Sequence, residues 1–195
     1  YSLQQLRSQV ALIPQDPFLF SLTIRDNLTY DDPERDMPPI EHAAQLAELL
    51  DAIDEFPDGM ETIVGERGIT LSGGQKQRAT LARGLIRDAR ILAMDDCFSS
   101  VDTRTEERIL GRLKEVRQGL TTLLVSHRVS TARHADRIFV MEDGRILESG
   151  THAELMAKGG YYADLEAVQS NQDQDRERKA ALLRNLDIDV RVVNG

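Results

Sequence analysis

Three short apolar runs constrain the fold of this chain more than any other feature. Val10 to Ile13, Ile91 to Met94 and Thr121 to Val125 are strand-sized, and each gives way abruptly to polar residues: Pro14-Gln15, Asp95-Asp96 and Ser126-His127-Arg128. The stretches between them carry the helical period instead. Ile40 to Phe56 has apolar residues at helical spacing and stops at Pro57-Asp58-Gly59. Ser72-Gly73-Gly74 opens a segment in which Ala79, Leu81, Ala82, Leu85 and Ile86 mark an amphipathic helix. Thr103 with Glu106 has the form of a capping box for a helix ending near Arg117. Strands alternating with helices pack as an α/β domain with a largely parallel sheet. Polar groups at successive strand ends then gather on the edge where open α/β sheets bind ligands.

Further along, Ile138 to Met141 and Arg145 to Glu148 flank Asp143-Gly144, a hairpin turn. Thr151 with Glu154 is a second capping box, and its helical pattern runs to about Val168. From Gln169 the composition shifts to Asn, Gln, Asp, Arg and Lys, which predicts a polar tail with a short helix at Ala180 to Leu186.

Composition narrows the classes of function. With 24 Lys and Arg against 33 Asp and Glu, the net charge is -9, which disfavours non-specific binding to nucleic acid. The single cysteine, Cys97, cannot form an internal disulfide and fits a reducing compartment as a small buried residue. No apolar run reaches membrane-spanning length, so any spanning part is expected outside this chain.

Two strings carry chemistry. Leu71-Ser72-Gly73-Gly74-Gln75 sets two glycines at a helix start, where backbone N–H groups and the helix dipole favour an anion and Ser72 adds a hydroxyl donor. An ordinary glycine-rich helix entry is the plain alternative. Ile91 to Asp96 delivers two carboxylates at a strand tip: the first can hold Mg²⁺, the second can orient or deprotonate a water. A solvated or helix-capping acidic pair is the alternative there.

The order of these features resembles the ATPase domain of ABC transporters over Val10 to about Glu166. Val10 to Phe20 looks like the family's Q-loop, Leu71 to Gln75 its signature, and Ile91 to Asp96 its Walker B strand. Ser99 to Asp102 resembles the D-loop and Ser126-His127-Arg128 the switch histidine. Thr62 to Gly68 and Asp16 to Phe20 resemble the exporter type. The resemblance implies ATP and Mg²⁺ as cofactors, with Asp95 and Gln15 serving the metal, and Asp96, His127 and Gln15 as catalytic residues. It implies that Ser72, Gly73, Gly74 and Gln75 meet the ATP held by a partner domain. Asp102 would couple two sites of a dimer, and Glu66 would touch the loops of the membrane domain. The implied partners are a second ABC ATPase domain and the transmembrane domain of an exporter, with no nucleic acid. The implied location is the cytoplasmic face of the cell membrane.

The chain departs from the family twice. None of its four lysines, Lys76, Lys114, Lys158 and Lys179, follows a glycine, so the phosphate-cradling Gly-x-x-x-x-Gly-Lys motif is absent. The expectation is a C-terminal fragment that lacks the N-terminal β part and the P-loop strand. That strand is expected to neighbour the acidic strand, leaving apolar sheet edge exposed. The second departure is Asp96, where the family usually has glutamate. Its carboxylate stops about 1.5 Å short of a glutamate's reach, one C–C bond. A weak acid beside an intact signature resembles the degenerate half of a heterodimeric exporter; a slow homodimer is the plain alternative.

The expected organisation is a partial ATPase domain over 1–168 and a polar tail over 169–195. Within the domain, 1–22 is the Q-loop region, 23–88 an α-helical subdomain with the signature, and 89–168 the core from Walker B to the C-terminus. Two rival functions remain. A chromosome or DNA-repair ATPase shares the signature, but its long coiled-coil insertion has no counterpart here. A non-hydrolysing fragment that only dimerises or docks on membrane-domain loops fits the missing P-loop.

Overall fold

The computed structural model of the chain describes residues 2–65 and 69–171. Glu66 and the helix expected at Ala180 to Leu186 lie outside the described residues. The chain divides into two compact units, with the division between His127 and Arg128.

The first unit is built on a parallel sheet of β1 (Val10–Ile13), β2 (Ile91–Asp95) and β3 (Thr121–Val125), in the order β1-β2-β3. Leu12, Ala93 and Leu123 form one row across it. Helix α1 (Leu3–Gln9) leads into β1; α2 (Ile24–Leu28), α3 (Met37–Leu46), α4 (Leu50–Asp54) and α5 (Gly73–Leu85) fill the interval before β2. Helix α6 (Thr103–Val116) returns the chain to β3. Helix α5 packs on α2, α3 and β1. Gly84 makes the last contact possible, because a Cβ there would stand 2.5 Å from Ile13 Cγ1. Ala11, Ile13, Leu92 and Met94 point into a core shared with Leu28, Ile40, Leu81 and Ile109.

The opposite face of the sheet is open. Leu12 is 64% exposed, Leu123 58% and Val125 47%, whereas parallel sheets are ordinarily covered on both faces. The strand pairing corrects the expectation that the missing strand neighbours the acidic strand. β2 is the central strand, hydrogen-bonded on both sides, and the edges are β1 and β3. The α6 crossover accounts for the difference, since it places β3 directly beside β2 in parallel register.

The single helix expected over Ile40 to Phe56 is two helices. Glu48 sits between them at φ 54, a left-handed conformation that costs a non-glycine residue about 1–2 kcal/mol. Tertiary contacts hold it there. Its nearly buried carboxylate pairs with Arg108 at 2.8 Å and with Arg112, and its carbonyl accepts from Arg78.

The second unit contains α7 (Val129–Ala132), the antiparallel pair β4 (Ile138–Glu142) and β5 (Arg145–Gly150), and α8 (His152–Lys158). Asp143 and Gly144 both take positive φ, as expected of a type I′ hairpin turn. Thr151 and Glu154 form the expected capping box. The helical run expected to reach Val168 is interrupted at Gly159 and resumes over 161–171. The interruption lets the Tyr162 N–H donate to the buried Glu148 carboxylate at 3.1 Å. Tyr162 is buried, with its hydroxyl 3.0 Å from His152 Nδ1, while Tyr161 is exposed. Among the described residues no helix is long and apolar enough to cross a membrane.

Candidate functional site

The first unit presents two separate groups of candidate residues. The first lies at the C-terminal ends of the parallel strands. Gln15 follows β1, Asp95 ends β2 with Asp96 next, and His127 follows β3. Asp96 takes φ 40, a region that aspartate tolerates better than most residues. Its N–H donates to Val125 O at 2.9 Å, which carries the β2–β3 pairing one residue past the strand. Its Oδ2 accepts from Gln15 Nε2 at 3.4 Å, a long hydrogen bond. Gln15 and Asp96 are thus in direct contact, and Asp95 and His127 end adjacent strands with exposed side chains. Cys97, next in the chain, is buried, and burial pushes its thiol up to about 12, so it is inert at neutral pH.

The second group surrounds the start of α5. Ser72 is its N-cap: Ser72 Oγ accepts from Gln75 N at 3.2 Å, and Gln75 Oε1 accepts from Ser72 N at 2.8 Å. This reciprocal box satisfies two helix-end donors and leaves the Ser72 hydroxyl proton directed by whatever lies beyond the cap. Gly73 and Gly74 lie against the turn at Phe98 to Val101. A Cβ on Gly74 would stand 2.8 Å from Ser100 O, and one on Gly73 would stand 3.3 Å from Ser100 Cβ. The glycines therefore admit a neighbouring turn as well as exposing helix-start N–H groups. Ser72, Gly73, Gly74, Arg78, Ser100, Val101 and Asp102 line an open cavity of about 430 Å³. Gln15, Asp95, Asp96 and His127 take no part in that lining.

Asp102 caps α6 by accepting from Thr105 N at 3.0 Å, one residue before the Thr103–Glu106 box expected from sequence. Both residues are good caps, and Asp102 is the one that takes the extended N-cap conformation. Hydrogen bonds from the Thr105 backbone and side chain hold the Asp102 carboxyl below the usual carboxylate range.

Three residues that the sequence did not single out organise these groups. Gln77, buried on α5, bonds to Ser99 and Ser100. Arg83, also on α5, donates to Phe18 O at 2.9 Å and Asn27 O at 2.7 Å, and buried Asn27 accepts from Phe20 N at 2.8 Å. The segment following Gln15 is thereby tied to the helix that Ser72 caps. A glutamine three residues beyond Gly74, on the same helical face, was the signal for Gln77; a long-range arginine gives none.

A family model described as ABC transporter matches residues 1–99. The chain is 48% identical over 169 residues to the ABC transporter ATP-binding protein YknU of Bacillus subtilis (strain 168), covering 87% of this chain and 29% of that protein. It is 45% identical over 174 residues to an ATP-dependent lipid A-core flippase of Burkholderia pseudomallei (strain 1710b), covering 89% and 29%. A solved bacterial Atm1-family ABC exporter with ATP bound superposes with a TM-score of 0.81 at 39% identity, over 86% of this chain and 30% of that one. The chain therefore spans less than a third of the length of these relatives. With the α/β fold, the strand-end cluster and the capped glycine helix start in place, the match shows that this chain belongs to the ABC transporter family.

Proposed function

We propose that these residues form the part of an exporter's ATPase domain that runs from the Q-loop past the switch histidine. The observation that carries this is the strand-end cluster, in which Gln15 contacts Asp96 and Asp96 is fixed to the end of β3, beside His127. The relatives named above include an ATP-dependent flippase and an exporter with ATP bound, which supports ATP as the ligand and transport as the work. In the complete protein, an ATPase partner domain and a transmembrane domain would complete the assembly at the cytoplasmic face of the membrane.

Among the described residues no cluster of three or more His, Cys, Asp or Glu side chains forms a metal cage. Mg²⁺ needs none, because one or two carboxylates plus substrate phosphates and waters suffice. Asp95 and Gln15 would supply the hard oxygen donors, so the residues present fit that partial set. When bound, Mg²⁺ would neutralise charge on the transferring phosphoryl group. Asp96 would use the carboxylate oxygen not engaged by Gln15 to accept the proton of the attacking water. His127 would contact the γ-phosphate and that water. The Ser72 hydroxyl and the Gly73, Gly74 and Gln75 backbone would close over the nucleotide of the partner domain, and Asp102 would couple the two sites. Glu66 would touch the membrane-domain loops.

The short acid at Asp96 and the complete cap at Ser72 favour a heterodimer in which this chain's own site is slow and its partner's is active. The 195 residues alone contain no Gly-x-x-x-x-Gly-Lys cradle, so they would bind Mg-ATP weakly and not turn it over. Isothermal titration of this chain with Mg-ATP should give no defined site of sub-millimolar affinity, while the full-length protein with its partner should hydrolyse ATP. A tight single site on the chain alone would contradict the proposed division of labour.

A further inference from the structure

We infer that Gln77 is a positioning residue that hangs the Ser99-Ser100 turn, and with it Asp102, on the helix that Ser72 caps. Gln77 is 3% exposed and both ends of its amide are bonded. Ser100 N donates at 2.7 Å. A backbone N–H only donates, so its partner must be the amide oxygen, and the amide nitrogen is then left for Ser99 Oγ at 2.6 Å. The orientation of Gln77 is thus dictated by its partners.

Gly73, Gly74 and Gln77 lie on one face of α5, since residues three and four apart on a helix are neighbours. All three meet the same turn: the glycines by letting Ser100 approach, Gln77 by holding it. Val101 N bonds back to Phe98 O at 2.9 Å, so the turn is short and closed, and Asp102 follows as the cap of α6. Nothing slack separates Gln77 from Asp102. A displacement of the helix start is passed through one amide to the cap of the next helix. The surface lined by Ser72, Gly73, Gly74, Ser100 and Asp102 therefore moves as one piece.

This inference rests on the reading of Ser72 as the contact to a partner's nucleotide, and it adds a requirement: the turn must follow when that contact is made. Methionine has nearly the volume of glutamine, no donor and only a weak thioether acceptor. Gln77→Met leaves Ser100 N–H to find water, since Ser99 and Ser100 are exposed. The helix start stays intact, because the Ser72–Gln75 box does not involve Gln77.

The test is steady-state phosphate release from the full-length protein, reconstituted with its partner, as a function of Mg-ATP concentration. Gln77→Met should lower kcat about tenfold, a fraction of what a 1 Å misplacement can cost, with KM within about twofold. Gln77→Glu should retain most of kcat, because its carboxylate accepts from Ser100 N and from the Ser99 hydroxyl. Ser99→Ala removes one of the two bonds and should give a smaller fall in kcat. It also decides the matter if Gln77→Met does not fold. An unchanged kcat in both Gln77→Met and Ser99→Ala overturns the inference, and so does a loss in Gln77→Met that Gln77→Glu fails to restore. Ser72→Arg, run alongside, tests the underlying reading. If Ser72→Arg keeps full turnover, both fall; if it is dead while Gln77→Met is normal, only the tether is wrong.

Discussion

The start of α5 and the ends of the strands are finished to different degrees. Around Ser72 the chain closes its own structure. The cap is reciprocal, Gly74 has a carbonyl packed where its Cβ would be, and Gln77 holds the adjoining turn by two short bonds. Asp96 itself makes one long bond to Gln15 and one backbone bond to Val125, and the sheet beneath shows Leu12, Leu123 and Val125 to solvent. A surface that acts on another domain's ligand must be rigid before that ligand arrives. On the proposed function, the finished region is the one that meets a partner's nucleotide.

Ser72→Arg attacks the finished region and should have the largest effect. The arginine stands where the helix start would approach a γ-phosphate, and it also removes the hydroxyl that accepts from Gln75 N. Turnover of the paired transporter should fall about a hundredfold, in line with the loss of an oriented contact. Phosphate release measures it, and a variant with near-normal rate would show that the finished region does not face nucleotide.

Much of the comparison was legible in the sequence because the features concerned are local. The three apolar runs, the Asp143-Gly144 hairpin and the Thr151–Glu154 box each depend on residues within a few positions. What escaped depends on distant partners. Glu48 breaks an apparently continuous helix because Arg108 and Arg112 arrive from α6. The second break, at Gly159, serves Glu148 on β5. The neighbours of the acidic strand could not be read, because a run of apolar residues does not state them; β2 became central through the α6 crossover. At the site, residue types and strand-end placement could be read in advance, whereas the Gln77 tether could not, since glutamine on a helix is more often solvated than buried.

Asp96→Glu acts on the less finished region and should give a smaller change of opposite sign. The longer side chain reaches the water position, and hydrolysis at this chain's own site should rise severalfold, part of the roughly hundredfold that such displacements can cost. The left-handed backbone at φ 40 suits aspartate better than glutamate, so the same variant should lose up to about 1 kcal/mol of folding stability. Turnover with the partner's site blocked, together with urea unfolding, would separate the two effects. An unchanged rate with an intact partner signature would mean that reach is not the defect.

Asp96→Ala should change total turnover by less than about twofold, because the site it disables is already slow, as the non-additivity of grouped catalytic residues allows. In a homodimer every site would carry the substitution, and the loss would match that of Ser72→Arg. Equal damage from the two variants therefore removes the heterodimer reading and leaves the slow homodimer.

The smallest effect concerns Asp102, which belongs to the finished region yet titrates. Its carboxyl is held below the usual range because Thr105 donates to the charged form from its backbone and its side chain. A lowered folded pKa means that the unfolded chain binds the proton more readily. The stabilisation is therefore fully present above the unfolded carboxylate value, and it is lost as pH falls through the folded one. Asp102→Asn keeps the N-cap, since asparagine caps as well as aspartate, so unfolding at neutral pH should shift by only a few tenths of a kcal/mol. The portion of acid sensitivity that belongs to this carboxyl should disappear. Asp102→Ala loses the cap itself and should cost about 1 kcal/mol at neutral pH. Urea unfolding of the chain from neutral pH down through the carboxylate range would measure all three. A wild-type acid dependence in Asp102→Asn would mean that other groups, and not this carboxyl, carry the acid sensitivity.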